Sequence, residues 1–126
     1  YNGQHYYEYK RNSSNTLLKS LNLIMAKQYS NFKDFYPYYI QQHKNKYTKL
    51  LHFIGAWFFI SFIFNLIYSH EIKYLLFAFL SAYGFAWIGH FFIEENKPAT
   101  FDYPIYSFMG DCLMFIEILK GKHKIL

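Results

Sequence analysis

Two unbroken apolar runs dominate this chain. They are residues 50–68, LLHFIGAWFFISFIFNLIY, and residues 74–93, YLLFAFLSAYGFAWIGHFFI. Neither contains a lysine or an acid. About twenty apolar residues carry an α-helix across a bilayer core, and buried helices of soluble domains are rarely so apolar on every side. A soluble two-helix core would need partner surface that a chain this short lacks. Only SHEIK, residues 69–73, separates the runs. The pattern therefore predicts an all-α, integral membrane protein built on an antiparallel two-helix transmembrane hairpin.

Weaker periodicity flanks the hairpin. In NFKDFYPYYIQQH, residues 31–43, Phe32, Phe35, Tyr36, Tyr39 and Ile40 recur at helical spacing. Asp34 is placed to cap the start, and Pro37 to occupy the first turn. After the second run, EENKPATFDYP reads as a loop. Ile105, Phe108, Met109, Cys112, Phe115, Ile116 and Leu119 then repeat at three and four, with Asp111, Glu117 and Lys120 off the stripe and Gly121 as a stop. Both segments are expected to be amphipathic helices lying in the membrane interface. The plainer alternative for the first is an ordinary soluble amphipathic helix.

Composition supports the membrane reading. Aromatic residues make up 25% of the chain and charged residues only 17%, against about a quarter charged in a typical soluble domain. The net charge is +5, but the lysines flank the apolar runs instead of forming a basic stripe interleaved with stacking aromatics, which argues against nucleic acid as a partner. Five lysines fall in residues 25–49, one in the SHEIK connection and four after residue 94. The positive-inside rule then places both termini in the cytoplasm: the inner membrane of a bacterium or the endoplasmic reticulum of a eukaryote. Cys112 is the single cysteine, so no internal disulfide forms, and it is expected to pack as a small apolar residue. No cleavable signal peptide is visible. Met25 reads as a start, which divides the chain into a polar extension, residues 1–24, and a membrane domain, residues 25–126.

Candidate chemistry lies in the histidines. His52 and His90 each stand nineteen residues from residue 71 at the hairpin tip. At 1.5 Å per residue both lie about 28 Å from that tip, level with one another near the cytoplasmic face. Ala78, Ala82, Ala86, His90 and Glu94 form one i, i+4 row, widened by Ser81 and Gly89, while Gly55 and Ala56 share the side of His52. Small residues mark faces where membrane helices meet, so both imidazoles are expected to face the helix pair. His43 ends the first interfacial helix and can approach from below. His43, His52, His90 and Glu94 thus become available to one metal, iron or zinc by chemistry alone. A lone histidine near an interface is more plainly an anchor, and His5, His70 and His123 read as solvated. Lys97 is placed to hold a lipid phosphate or a fatty carboxylate. Asn45 reads as a turn cap or as a partner of a ligand imidazole, Tyr83 and Trp87 as packing and belt residues, and Asp111 as a solvated or cap-adjacent charge.

The stretches FYPYYIQQHKNKYTKLLHFIG and YGFAWIGHFFIEENKPATFDYPIYSFMGD resemble the Mpo-like family of small membrane proteins over roughly residues 32–121. The shared patterns are H-x8-H-x2-G, His43 to Gly55, and G-H-x-x-x-E-x-N-[RK]-P-A, Gly89 to Ala99. The resemblance implies a short-form, Fe(II)-dependent dioxygenase that uses O₂ to shorten 2-hydroxy fatty acids by one carbon. His43, His52 and His90 would be the catalytic metal ligands, Glu94 a further ligand by inference and Lys97 a substrate-binding residue. Lys97 stands where the family usually has arginine, which keeps the charge and loses the bidentate fork. The expected partners are a fatty-acid substrate, O₂, membrane lipid and a possible second copy of the chain. The competing reading is a non-catalytic hairpin that scaffolds other proteins.

Overall fold

A computed structural model describes residues 3–26 and 28–126. The described residues are helical, with no strand among them. They fall into two units, residues 1–31 and 32–126. The first contains α1 (Gly3–Ala26), for which weak periodicity predicts no element. Its hydroxyls bond back to its own carbonyls: Ser13 and Ser14 to Lys10, Thr16 to Asn12 and Ser20 to Leu17. The His5 side chain lies outside the described residues.

The second unit holds α2 (Phe32–Gln41), α3 (Lys46–Ser69), α4 (Lys73–Ile88) and α5 (Pro104–Leu119). α4 runs directly into a π-helical turn, Gly89–Glu94, and a short 3₁₀ turn, Ala99–Phe101, precedes α5. Asn45 caps α3 by accepting the Tyr47 N–H at 2.9 Å, which is the capping role and not the imidazole-partner role. His70 ends α3 in the left-handed region, at φ 57°.

α3 and α4 meet along their length, and their partners run in opposite order: Phe62 meets Tyr74, Phe59 meets Phe79, and Phe58 stacks on Phe85 at 5.7 Å. Gly55 lies against Ser81, Ala82 and Phe85. The small-residue faces are therefore the contact faces, with Gly55, Ala78 and Ala86 buried. α3, and α4 with its π-turn, are each long and apolar enough to cross a membrane. Only 11% of the most apolar window of α3 and 22% of that of α4 is buried within the protein.

α2 and α5 pack on one another. Phe35, fully buried, meets Tyr103 and Tyr106 with ring centroids at 5.2 and 5.6 Å. Two sequence expectations change here. α2 begins at Phe32, so Asp34 stands inside the first turn and is not its cap, and Pro37 is an interior residue that forgoes one backbone bond. In α5 the residues buried in the protein are Ser107, Gly110, Met114 and Ile118, not the apolar stripe. Ile105, Phe108, Met109, Cys112, Ile116 and Leu119 are exposed, and of these Phe108, Cys112 and Ile116 line a cavity. Cys112 is exposed, not packed in a core.

The end of α5 corrects another expectation. Gly121, at φ 73°, reverses the chain, with the Lys122 N–H bonded to the Glu117 carbonyl at 2.9 Å and the Gly121 N–H to that of Ile118. This pairing turns the tail back along the helix. His123 is therefore not solvated: its Nε2 lies 2.8 Å from Glu117 Oε2. The Tyr36 hydroxyl donates to the same oxygen at 2.6 Å. That bond holds the Glu117 carboxyl below the usual range.

Candidate metal centre

Three imidazoles from three segments converge. His43 follows α2, His52 lies two turns into α3 and His90 sits in the π-turn. Their ring centroids are 4.4, 4.5 and 5.3 Å apart. One ligating nitrogen of each lies within 4.8 Å of the others. His43 is fully buried, His90 is 2% exposed, and the His52 side chain is 7% exposed.

The protons on these rings can be assigned from their partners. His43 Nδ1 lies 2.6 Å from the Tyr39 carbonyl, His52 Nδ1 2.9 Å from Asp111 Oδ1 and His90 Nδ1 2.8 Å from Asn96 Oδ1. The Asn96 amide is oriented by its own NH₂, which donates to the Gln42 carbonyl at 3.0 Å, so its oxygen faces His90. A carbonyl, a carboxylate and an amide oxygen only accept. Each Nδ1 therefore carries a proton, which leaves Nε2 of each ring as the candidate ligand atom.

The consequence is an electrostatic mismatch that a cation resolves. His43 Nε2 and His52 Nε2 stand 3.1 Å apart, and where each ring carries only its Nδ1 proton both are acceptors. A second proton on His43 is disfavoured: burial, then the neighbouring His52 and His90 rings, hold it well below the usual histidine range. A divalent ion answers the same demand without protonating a buried ring. Imidazoles held through their second nitrogen by oxygen acceptors are the usual form of metal-ligating histidine. The donor set fits Fe(II) or zinc and leaves positions free for other ligands.

Glu94 and Lys97 have other partners. Glu94 Oε1 accepts the backbone N–H of Asn45 at 2.7 Å, satisfying an orphan donor at the positive end of α3. It is not in the three-histidine group. Lys97 Nζ is held by both oxygens of Asp102 at 2.9 and 3.0 Å and lies over the Phe101 ring.

Two supporting residues escape the sequence reading. Asp111 is not a solvated charge: it accepts from His52 and also from the Tyr39 hydroxyl. Burial and then Asp111 raise the Tyr39 phenol far above its ordinary pKa, so it remains a donor. Asn96 is the other. Its place in the G-H-x-x-x-E-x-N-[RK]-P-A pattern was a signal, but nothing in the spacing says that the chain doubles back after Glu95, at φ 53°, to set Asn96 against His90. Substituting Asn96 by Leu is expected to lower metal affinity by about 10–100-fold, readable as the midpoint of a Co(II) titration.

The histidines stand at one end of a cavity of about 310 Å³. Along α3 its lining runs from His52 to Ile60, and along α4 from His90 back to Phe79. The walls thus extend about 12–16 Å from the centre at 1.5 Å per residue. Phe59, Phe79, Tyr83, Trp87, Phe108 and Phe115 make it predominantly apolar, while Tyr39 and Asp111 border the histidine end. Tyr83 and Trp87 are therefore cavity walls as well as packing residues. An apolar chain with a metal-binding head group fits this shape.

No curated protein and no solved structure matches the chain significantly. The sequence model of one family, described as 2-hydroxy-palmitic acid dioxygenase Mpo1-like, matches residues 29–123. That span contains all three histidines, Asp111 and Asn96, and covers most of the 126 residues: the chain belongs to the Mpo1-like family.

Proposed function

We propose that this protein is a membrane-embedded, Fe(II)-dependent dioxygenase that cleaves 2-hydroxy fatty acids to acids one carbon shorter. The observation that carries the reading is the convergence of three histidine rings at the end of an apolar cavity. Fe(II), when bound, supplies a redox-active centre through which O₂ can react with an organic substrate. His43, His52 and His90 hold it. The Tyr39 carbonyl, Asp111 and Asn96 keep the rings aimed, and the aromatic walls exclude water and align the acyl chain. Cleavage of the C1–C2 bond of a 2-hydroxy acid, with C1 leaving as CO₂, releases four electrons. That is the number O₂ takes up on reduction to water, so the reaction balances without a separate reductant.

In this reading α3 and α4 cross the bilayer as an antiparallel hairpin, with α2 and α5 at the cytoplasmic interface beside the lysine-rich segments. The exposed faces of the two long helices support it, because lipid covers them without cost. Residues 25–126 form the membrane domain. Glu94 serves the centre indirectly by fastening the start of α3, and Lys97, exposed beside Asp102, meets headgroups or an arriving carboxylate. The protein is expected to stay with the membrane pellet after alkaline carbonate extraction. Recovery in the supernatant would overturn the hairpin placement.

The activity test is direct. Iron-loaded protein in detergent, incubated in air with 2-hydroxypalmitic acid, is expected to consume O₂ and yield the acid one carbon shorter. Folded, fully metallated protein that yields none removes the dioxygenase reading for this substrate class.

A further inference from the structure

The serine hydroxyls of α3 and α4 bond to carbonyls of their own helices. Ser61 donates to Trp57, Ser69 to Asn65 and Ser81 to Ala78, all within 2.7–2.9 Å. Ser107 does not. It is 2% exposed, and its Oγ has no hydrogen-bond partner. A buried hydroxyl left unpaired costs free energy, and such groups in native proteins call for an explanation.

Thr48 Oγ1 shares this status, which makes it a useful contrast. Thr48 packs against Gly89, where the backbones approach closely, and it is not among the residues that line the cavity. Ser107 does line the cavity. It precedes Asp111 by one helical turn on the buried face of α5, and neighbours at that spacing lie about 5–6 Å apart. Asp111 in turn holds His52. Ser107 thus places an uncommitted donor at the histidine end of a mostly apolar space. The hydroxyl of Tyr39, which also lines the cavity, is already given to Asp111.

From this we infer that Ser107 is a ligand-binding residue: its hydroxyl donates to the oxygen-bearing head of an acyl chain lodged in the cavity, a carboxylate or 2-hydroxyl oxygen. Oγ meets no hydrogen-bond partner in its present rotamer, and one step between staggered χ1 wells redirects it. The inference rests on the dioxygenase reading for the position of the head group, and it adds a contact from the chain that is independent of the metal.

The test uses iron-loaded protein under nitrogen, where no turnover occurs. Fluorescence of the cavity residue Trp87 reports binding of 2-hydroxypalmitic acid and, as a headless control, hexadecane. Ser107→Ala and the nearly isosteric Ser107→Cys are each expected to bind 2-hydroxypalmitic acid about tenfold more weakly. Hexadecane binding and Co(II) affinity should be unchanged. Wild-type affinity in both variants overturns the inference, as does a parallel loss of hexadecane, which would mark a packing role. If the unmodified protein binds hexadecane but not the hydroxy acid, the dioxygenase reading falls and the Ser107 contact falls with it.

Discussion

Alanine in place of His90 is expected to abolish stoichiometric metal binding while leaving the helices intact. His90 supplies one of three neutral nitrogens, and no other ligating group shares their cluster among the described residues. Losing a ligand outright should exceed the 10–100-fold cost of losing an outer partner, so affinity is expected to fall by more than about 100-fold. The fold tolerates the change because two effects oppose. The variant leaves Asn96 Oδ1 without its donor, a loss of about 1–3 kcal/mol for a buried acceptor. It also removes one of three lone pairs crowded together in the metal-free protein. Circular dichroism should therefore match the unmodified protein, while elemental analysis of the purified variant shows no bound iron. One ion per chain in the variant would mean the three histidines are not the centre. Asp111→Asn should be milder, within the 10–100-fold range, because His52 keeps its Nε2 and loses only its charged partner.

Gly110→Ala should lower both stability and metal affinity through a residue that touches no metal. A Cβ at position 110 would lie 2.9 Å from Tyr39 Cδ2 and 3.0 Å from two further ring atoms. The Tyr39 ring is 1% exposed and closely surrounded: its centroid is 6.0 Å from that of Phe35, 5.8 Å from Tyr36 in a stack and 4.2 Å from His43. It has no room to yield, and overpacking of this kind costs about 1–3 kcal/mol. Moving Tyr39 disturbs two ligands together, because its carbonyl holds His43 and its hydroxyl braces the Asp111 that holds His52. Thermal unfolding should begin at a lower temperature, and Co(II) should bind about 10–100-fold more weakly. Full metal affinity in a destabilised variant would show that Tyr39 packs the helices without aligning the site.

Much of the fold was legible because it depends on length and local pattern. Long apolar runs, a three-residue connection from His70 to Ile72 and small residues on one face were enough to pair α3 with α4. The two flanking segments appeared as helices, but which side of α5 packs on the protein did not. Hydrophobic periodicity identifies an apolar stripe without saying whether protein or lipid lies beyond it, and here Phe108 and Phe115 line the cavity while Ile105 and Leu119 face outward. The expectation for Glu94 treated proximity in sequence to His90 as access to the ion. The carboxylate instead meets the N–H of Asn45, which the positive end of α3 makes an attractive partner.

The sequence by itself determined that His52 and His90 stand level with one another on the helix pair. Rise per residue and a tight connection set this, and it does not depend on how the rest of the chain packs. Only the tertiary structure decided what those rings can do. Their inner nitrogens are freed by Asp111 and Asn96, and His52 lies 59 positions from its partner while Gln42 lies 54 from the Asn96 amide it orients. Such pairings follow from how α2 and α5 cross the hairpin and where the π-turn ends. Those are properties of packing and backbone curvature, which no spacing along a single segment encodes.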